Sequence, residues 1–511
     1  MTARGWRRAR QTTQVVALLL FVALFVTTWQ GRWPLGAALF SHLDPLLVLA
    51  ASLASRVVVA GAGLALATVA LTLIFGRAWC GWICPLGTVL DWISPRRPQR
   101  GKGRSFHLAP PPESWRAAKY VLLVIILLLA LFGSQILLFL DPVTLMTRTL
   151  AGAVWPALGY GAFQAEAFLY QFEPLWAPLD FLHARLVYPL FADGQSLFLH
   201  ALPIFLLLVG VVALNWWTPR FWCRYLCPLG ALLGGLARFA LVRRTVVEGC
   251  KACARCLPGC PTGTIDPHDG YRSDPAECIV CYDCLVDCPQ QGIAFRWHVK
   301  PWRPAPGHPY DPGRRGVLVG IGAAAVGVTL AGIDATAGRP PATYLRPPGA
   351  VLTDFSSLCV RCGVCTSACP THGLQPTLFE GGWSSAFTPH LVPRLGPCLY
   401  DCTVCGTVCP TGAIPLLTRE EKKTTAIGLA RIDRNRCLPW AYDTPCIVCE
   451  EMCPVPDKAI RLEEVEVVDS TGALVTLQRP AVVRERCVGC GFCEYKCPLA
   501  GEAAIRVVAP L

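Results

Sequence analysis

The chain has 511 residues, of which 53% are hydrophobic and 16% are charged. This composition is too apolar for an ordinary soluble protein, and the length is sufficient for two or three domains. The formal net charge is +12, but no helix-turn-helix pattern or basic recognition helix accompanies it, so nucleic acid is not an expected partner. The whole excess lies in residues 1–337, whereas residues 338–511 carry 17 basic and 17 acidic residues. A membrane explains this distribution better.

Four apolar stretches precede the first cysteine-rich block, at about residues 14–29, 57–76, 120–140 and 199–218. Each is close to the ~20 residues that a helix needs to cross a bilayer. The sequence therefore predicts four membrane-spanning helices, with buried core helices as the alternative. A shorter stretch rich in Ala and Gly, residues 317–333, is a candidate for a fifth span.

Basic residues predict the orientation of these spans. Segments 1–13, 77–119 and 219–315 carry 25 of the 29 basic residues in the first two thirds of the chain. Segments 31–56 and 141–198 carry two each. Because cytoplasmic loops are enriched in Lys and Arg, the three basic segments are expected to face the cytoplasm.

The predicted membrane part contains an internal repeat. The stretch GRAWCGWICPLG at 76–87 returns as PRFWCRYLCPLG at 219–230, and a Leu-Asp-Pro sequence occurs upstream in each half, at Asp44 and Asp141. Such duplication is common in membrane proteins. The two motifs supply Cys80, Cys84, Cys223 and Cys227. Their matched positions favour a redox role or cofactor binding over buried structural thiols.

The next cysteines follow the bacterial ferredoxin pattern C-x2-C-x2-C-x3-C-P, which occurs twice. The two groups are Cys250, Cys253, Cys256 and Cys260, followed by Cys278, Cys281, Cys284 and Cys288. In this pattern the first three thiolates hold one 4Fe-4S cluster and the fourth reaches the other cluster. Cys288 should therefore join the first set and Cys260 the second. Zinc, which takes two CxxC pairs, is the disfavoured alternative.

Four more groups occupy the C-terminal region, two of them with an irregular first gap. They are Cys359, Cys362, Cys365 and Cys369; Cys398, Cys402, Cys405 and Cys409; Cys437, Cys446, Cys449 and Cys453; and Cys487, Cys490, Cys493 and Cys497. These groups predict four further clusters, six in all, and leave no cysteine for a disulfide. The exchange of fourth cysteines could join neighbouring groups, or outer with outer and inner with inner.

A series of clusters in small domains is suited to one-electron transfer. The sequence has no Rossmann fingerprint, P-loop, HExxH or G-x-S-x-G motif to suggest another chemistry. The predicted fold is an α-helical membrane bundle of four spans plus a fifth, with α+β ferredoxin-like iron–sulfur domains. Its predicted parts are a membrane domain at 1–245, a cytoplasmic two-cluster domain at 246–300, a linker with the fifth span at 301–337, and a four-cluster domain at 338–511.

With these motifs, residues 1–300 resemble NapH, the membrane subunit of a quinol dehydrogenase. Residues 311–511 resemble NapG and the related MauM family, which have a twin-arginine start and four ferredoxin-type motifs. The chain thus looks like a fusion of two partners. Arg314 and Arg315 would be the twin-arginine signal of the second partner, and Ala335–Ala337 a small-residue cleavage site. Cleavage there would release the domain, and retention of 317–333 as a membrane anchor is the favoured alternative. This resemblance implies that 338–511 is exported already folded to the periplasm.

The resemblance implies that quinol is oxidised in an inner membrane and that electrons pass to a periplasmic cytochrome c or molybdenum reductase. Charged groups near the outer membrane edge are the candidates for the quinol headgroup, although helix capping and snorkelling explain them equally well. These candidates are His42, Asp44, Arg56, Asp141 and Arg148.

Three other functions are alternatives. The membrane module also resembles proteins that reduce copper or support oxidase assembly, but the four-cluster region argues against that role. A cytoplasmic ferredoxin-linked role would follow if 317–333 does not cross the membrane. A structural zinc scaffold is the least favoured.

Overall fold

The fold is described from a computed structural model. It describes residues 2–29, 36, 38–94, 111–191, 198–300, 318–319, 321–323, 325–327, 329, 344–350, 354–468, 472 and 474–509. Contacts divide the chain into two compact units. The first comprises Met1–Thr27, Leu35–Thr149 and Leu202–Leu330, and the second comprises Thr28–Pro34, Leu150–Ala201 and Ala331–Leu511.

The helices of the first unit repeat one order of elements in two halves. The first half consists of Ala3–Trp29, Ala38–His42, Pro45–Ser55, Ala62–Phe75, Ala78–Trp82 and Pro85–Ile93. The second half consists of Glu113–Arg116 and Ala117–Leu131, Ile136–Leu140, Pro142–Thr149, Ala201–Trp217, Trp222–Leu226 and Pro228–Ala237. In each half, one helix begins at the proline of Asp-Pro and another at the proline of Cys-Pro.

Among the residues that the structure describes, two helices are long and apolar enough to cross a membrane, Ala3–Thr28 and Glu113–Leu131. Two other predicted spans form shorter apolar helices, Ala62–Phe75 and Ala201–Trp217, so the four-span bundle stays a prediction. The third stretch also differs from its expected length. Its helix ends at Leu131 rather than near residue 140, because the following turn places Gly133 in the left-handed region with φ +80°.

The proline helices begin with side-chain caps. Asp44 accepts hydrogen bonds from the backbone N–H groups of Leu46 and Leu47, at 2.8 and 3.3 Å. Asp141 accepts from Val143 and Thr144, at 2.9 and 3.0 Å. An acceptor at the N-cap followed by proline is a strong helix start, which explains why both halves use Asp-Pro.

The first ferredoxin block belongs to the first unit and packs on the ends of its helices. Its strands are Val242–Val246 paired with Ile293–Trp297 and Ile265–Asp266 paired with Arg272–Ser273, and its helices are Cys256–Gly259 and Asp283–Asp287. Arg10 lies 3.4 Å from Asp283, Trp82 donates to the Val280 carbonyl at 3.0 Å, and Arg116 donates to Gly263 at 2.7 Å. All three predicted cytoplasmic segments therefore meet in this block.

The second unit contains the C-terminal iron–sulfur region and residues 150–201. Its strands pair antiparallel as Leu374–Pro376 with Pro389–Leu391, Leu429–Ile432 with Ile505–Val508, and Ile460–Val468 with Leu474–Val482. Its α-helices are Trp155–Leu169, Trp176–Leu182, Tyr188–Leu190, Phe355–Leu358, Val364–Ala368, Val404–Thr407, Arg419–Thr424, Leu438–Ala441, Val448–Glu451 and Phe492–Lys496. Single turns of 3-10 or π-helix occur at Leu150–Val154, Glu173–Leu175, His183–Val187 and Trp383–Ser385.

The twin arginines at 314 and 315 and the proposed cleavage site at 335–337 lie outside the described residues. Of the stretch 317–333, the structure describes 318–319, 321–323, 325–327 and 329 as helix. The fifth span and the domain boundaries stay predictions.

Candidate metal centres

The first ferredoxin block brings its two cysteine groups together. Cys256, Cys260 and Cys284 are buried in one cluster, with the half-buried Cys288 packed against them. Burial raises the pKa of the Cys256 thiol, and the neighbouring Cys250 and Cys288 add to this rise against the charge of Arg244.

In the second set, burial raises the pKa of Cys281, and Asp283, Cys260 and Cys284 add to it. Cys288 thus lies near Cys250 and Cys256 of the first group, and Cys260 lies near Cys278, Cys281 and Cys284 of the second. The ligand sets that the structure suggests are Cys250, Cys253, Cys256 and Cys288, and Cys260, Cys278, Cys281 and Cys284.

In several cysteine groups, the chain turns between the second and third cysteines through a residue in the left-handed conformation. Gly363 and Gly491, with φ of +74° and +83°, stand between the second and third cysteines of their groups, immediately before a short helix. Glycine adopts this conformation without a steric penalty. The bulkier Tyr282 occupies the equivalent position of the second ferredoxin group, at φ +60°.

The four C-terminal groups line four separate cavities of similar size, about 330 to 390 Å³ with the open space at their mouths included. Each cavity has four cysteines on its wall and otherwise mostly apolar neighbours. The sets are Cys359, Cys362, Cys365 and Cys409; Cys369, Cys398, Cys402 and Cys405; Cys437, Cys446, Cys449 and Cys497; and Cys453, Cys487, Cys490 and Cys493.

This arrangement distinguishes the two pairings that the sequence left open. Each cavity takes three cysteines from one group and the last cysteine from the adjacent group, so neighbouring groups exchange ligands. Cys409 joins the group of Cys359, and Cys369 joins the group of Cys398. An outer-with-outer exchange is not what the structure shows.

The cavities fit a four-iron cube better than a single ion. Zinc takes four thiolates from two CxxC pairs, whereas each cavity takes three cysteines of one group and the last cysteine of another, as 4Fe-4S clusters do in two-cluster ferredoxins. A cube spreads its four sulfur ligands around a wider centre. Backbone N–H groups also face the sulfurs, as at Ala430 to Cys487 Sγ and Ala459 to Cys453 Sγ, both 3.4 Å.

A buried lysine lies between two of these cavities. Lys422 is fully buried in Arg419–Thr424, and its Nζ has no hydrogen-bond partner among the described residues. Its charge acts on the thiols of Cys398 and Cys490, which belong to different cavities, and works against the rise in their pKa that burial causes. Sequence reasoning missed this residue because it lies in none of the cysteine motifs.

The four cysteines of the repeated Cys-x3-Cys-Pro motif also come together. All four are buried. Burial is the largest cause that raises the pKa of the Cys84 thiol, and the nearby thiols of Cys80 and Cys223 raise it further. Burial likewise raises the pKa of the Cys227 thiol, and Cys223 and Cys80 add to that rise. One thiol pair from each half therefore contributes to a single group.

Two arginines that the sequence analysis did not single out connect the two halves of the repeat beside these four cysteines. Arg220 of the second motif donates to the Cys80 carbonyl of the first at 2.8 Å, and Arg77 of the first motif lies 3.5 Å from the Cys223 carbonyl of the second. Both arginines are fully buried. Each precedes the first cysteine of its motif by three residues, and that repeated position was a signal in the sequence.

Of the five candidates for a quinol headgroup, the structure brings two together. Asp44 and Asp141 are fully buried and within hydrogen-bonding reach of one another. Arg148 is buried and donates to the Phe139 carbonyl at 3.2 Å.

The other two candidates, His42 and Arg56, belong to the first half of the repeat. His42 is buried, and its ring lies so close to Gly61 that an added Cβ there would approach it to 2.5 Å. Arg56 is exposed and ends the helix Pro45–Ser55 in the left-handed conformation.

Comparisons with known proteins agree with the cysteine geometry. A family model described as a 4Fe-4S binding domain matches residues 57–103 and 200–246, and a second model of that description matches residues 354–375. The methylamine utilization ferredoxin-type protein MauM of Methylorubrum extorquens is 39% identical over 157 residues, which are 30% of this chain and 67% of that protein. The chain belongs to the MauM family of ferredoxin-type proteins.

Two other relatives extend this assignment. The ferredoxin-type protein NapG of Escherichia coli is 40% identical over 158 residues, which are 30% of this chain and 65% of NapG. The ferredoxin-type protein NapH of the same organism is 28% identical over 319 residues, which are 58% of this chain and 93% of NapH. The predicted fusion of a NapH-like part with a NapG/MauM-like part is therefore confirmed.

The chain spans about two thirds of the length of the MauM and NapG relatives. No solved structure matches it. Membership in this family and the iron–sulfur family models together make the chain an iron–sulfur electron-transfer protein.

Proposed function

We propose that this chain is a membrane-bound quinol dehydrogenase that passes electrons through six 4Fe-4S clusters to an acceptor in the periplasm. The observation that carries the proposal is the set of four C-terminal cavities, in which neighbouring cysteine groups exchange their last ligand. Two more ligand sets in the block 246–300 bring the number of clusters to six. When bound, such clusters accept and release single electrons.

Contacts within each part of the chain support the predicted membrane orientation. The three basic segments all meet the ferredoxin block 246–300, which is expected if they share the cytoplasmic face. The C-terminal region instead packs on the segment that leads into Ala201–Trp217. Leu199 N–H donates to Gln375 Oε1 at 2.9 Å, and the Phe198 ring centroid lies 6.0 Å from that of His372. Because 141–198 is predicted to lie outside, this packing supports a periplasmic 338–511.

Oxidation of a quinol releases two protons with its two electrons, so the site needs a proton acceptor. Asp44 Oδ2 and Asp141 Oδ1 have no partner outside the pair among the described residues. Burial raises the pKa of both carboxyl groups, that of Asp141 to about 6, and the charge of Asp141 raises that of Asp44 further. Such a pair retains one proton near neutral pH and can accept a second. We assign proton acceptance from quinol to Asp141, which ionises first. It takes the two protons one after the other and passes each to water at the predicted periplasmic edge, while the two electrons go singly to the clusters.

The terminal acceptor is proposed from chemistry and resemblance. Electrons leaving the C-terminal clusters one at a time require a one-electron acceptor, such as a cytochrome c or a molybdenum reductase. The name MauM associates its bearers with methylamine utilization, and that association is not transferred to this chain.

The full chain, purified anaerobically in detergent, provides the test. A reduced quinol analogue should bleach the visible absorption of the clusters and produce the EPR signals of reduced 4Fe-4S centres. Intact clusters that stay oxidised under these conditions would refute quinol as the donor. An alkaline phosphatase fusion at the C-terminus tests orientation: activity is expected, and an inactive but folded fusion would place 338–511 inside.

A further inference from the structure

The repeated Cys-x3-Cys-Pro motifs are built around a site that the six ferredoxin-type clusters do not use. The family model described as a 4Fe-4S binding domain matches each half separately, at 57–103 and 200–246. Each match contains only two cysteines. Since a 4Fe-4S cluster takes four thiolates, neither half can hold one by itself, whereas the structure brings the two pairs together.

The surroundings of these sulfurs favour negative charge. Cys84 and Cys227 are the N-caps of Pro85–Ile93 and Pro228–Ala237, and their sulfurs accept from the N–H groups of Gly87 and Gly230, at 3.5 and 3.2 Å. Helix N-termini carry partial positive charge and stabilise thiolates. Two such termini, one from each half, therefore converge on the four-cysteine group.

Buried arginines add full positive charge. Arg77 and Lys119 face a single carboxylate, Glu277, with Lys119 Nζ 2.6 Å and Arg77 Nη1 3.3 Å from its oxygens, so this triad retains one positive charge. All three side chains are at most 1% exposed. An uncompensated buried cation is costly, which argues for an anionic occupant nearby.

The glycines of the motifs leave room for the crossing arginines. A Cβ added at Gly230 would lie 2.6 Å from Arg77 Nη2, and one at Gly87 would lie 2.7 Å from the Cys80 carbonyl and 3.4 Å from Arg220 Nη1. Arg220 is fixed in turn by Asp91, at 2.6 Å from its Nε. In the sequence Cys-Pro-Leu-Gly, the cysteine therefore caps the helix, the proline begins it, and the glycine leaves space for an arginine of the other half.

We propose that Cys80, Cys84, Cys223 and Cys227 hold one additional iron–sulfur cluster, shared between the two halves of the repeat. A four-thiolate cluster carries net negative charge, which matches the two helix termini and the surplus cation. The inference rests on the proposed function only for the source of electrons, and metal content tests it separately.

Native mass spectrometry and iron, sulfide and zinc analysis of the anaerobically purified full chain give the first test. We expect one cluster more than the twenty-four ferredoxin-type cysteines can hold. A chain with all six ferredoxin-type clusters and no additional iron would overturn the proposal. So would one zinc ion, or a disulfide, at these four cysteines. None of these results depends on a variant that folds or on quinol oxidation.

The double variant Cys84→Ser/Cys227→Ser provides the second test. It should lose one cluster's iron and sulfide while the EPR signals of the remaining clusters persist. The matched control is Ile83→Ala/Leu226→Ala, which changes the half-buried residue just before each of the same cysteines and should retain the iron. Equal iron in the double variant and the wild type would contradict the shared site. If quinol oxidation fails although the additional cluster is present, only the proposed function is refuted.

Discussion

The backbone N–H of Cys398 donates to the carbonyl of Cys490 at 2.8 Å and so joins two of the four C-terminal cavities directly. Cys398 lines the cavity shared by the first two groups, and Cys490 lines one shared by the last two. The ligand exchange between neighbours and this single hydrogen bond connect all four groups. The relationship makes the C-terminal region suitable for electron transfer along one series of centres.

Lys422 should raise the reduction potentials of the two clusters that it neighbours, because its charge stabilises their reduced, more negative state. Lys422→Met is expected to lower both potentials by on the order of 60 mV, equivalent to about 1.4 kcal/mol for one electron. EPR-monitored redox titration of the full chain measures the shift. The adjacent Lys423, which is paired with Glu420 at 2.9 Å, provides the control, and Lys423→Met should leave the potentials in place. Equal effects of the two variants would contradict this role.

The ligand sets predict which double variants lose one cluster and which lose two. Cys409→Ser and Cys359→Ser affect the same cavity, so combining them should remove no more iron than either alone. Combining Cys409→Ser with Cys398→Ser should remove about twice as much, because these cysteines line different cavities. Iron analysis with EPR distinguishes the two cases. An additive loss in both double variants would favour the exchange of outer with outer and inner with inner groups, and the opposite pattern would mean that each group keeps its own fourth cysteine.

The carboxyl pair predicts a pH dependence of quinol oxidation. Since burial raises the pKa of Asp141 to about 6, the group is ionised above that pH and accepts a proton, and the rate should fall as the pH decreases through 6. Asp141→Asn retains the helix cap but cannot accept a proton, so the rate should drop about 10²- to 10⁴-fold. Stopped-flow bleaching of the clusters measures both effects. Glu173→Gln, at an exposed position, is the control, and an unchanged rate in Asp141→Asn would exclude the assigned role.

Glu277 should be important for stability because it is the shared counter-charge of Lys119 and Arg77. Glu277→Gln leaves two buried cations with a neutral partner and is expected to lower the free energy of unfolding by about 3–5 kcal/mol. Glu113→Gln is the comparison, since the Glu113 side chain is 54% exposed and its loss should cost under ~0.5 kcal/mol. Thermal unfolding of the full chain in detergent measures the difference. Similar values for the two variants would show that the buried triad is not a stabilising unit.

A pair of glycine substitutions tests the crossing arginines. Gly230→Ala would bring a Cβ to 2.6 Å from Arg77, whereas Gly210→Ala would meet no atom within 4 Å. The first should destabilise the chain by about 1–3 kcal/mol through overpacking. The second, within Ala201–Trp217, should be neutral or stabilising by up to ~1 kcal/mol, because alanine favours helix more than glycine does. The same unfolding measurement applies, and a neutral Gly230→Ala would argue that Arg77 can move aside freely.

Local features of this protein could be predicted from its sequence. The Cys-x2-Cys-x2-Cys spacing determines how a short loop wraps one centre, and Asp-Pro and Cys-Pro determine where helices begin, because each involves only residues close in the chain. The resemblance to NapH and to NapG and MauM rested on the same motifs. The long apolar stretches were recognisable for the same reason, although the turn at Gly133 shortened one of their helices.

The sequence by itself therefore determined which residues can hold clusters and that the membrane part is duplicated. Only the tertiary structure decided which ligand set Cys409 completes, that Arg77 and Arg220 each contact the other half of the repeat, and that Asp44 lies beside Asp141. These relationships join residues roughly 50 to 150 positions apart. They depend on how separately formed elements pack and bury charge, and spacing along the chain carries no information about that packing.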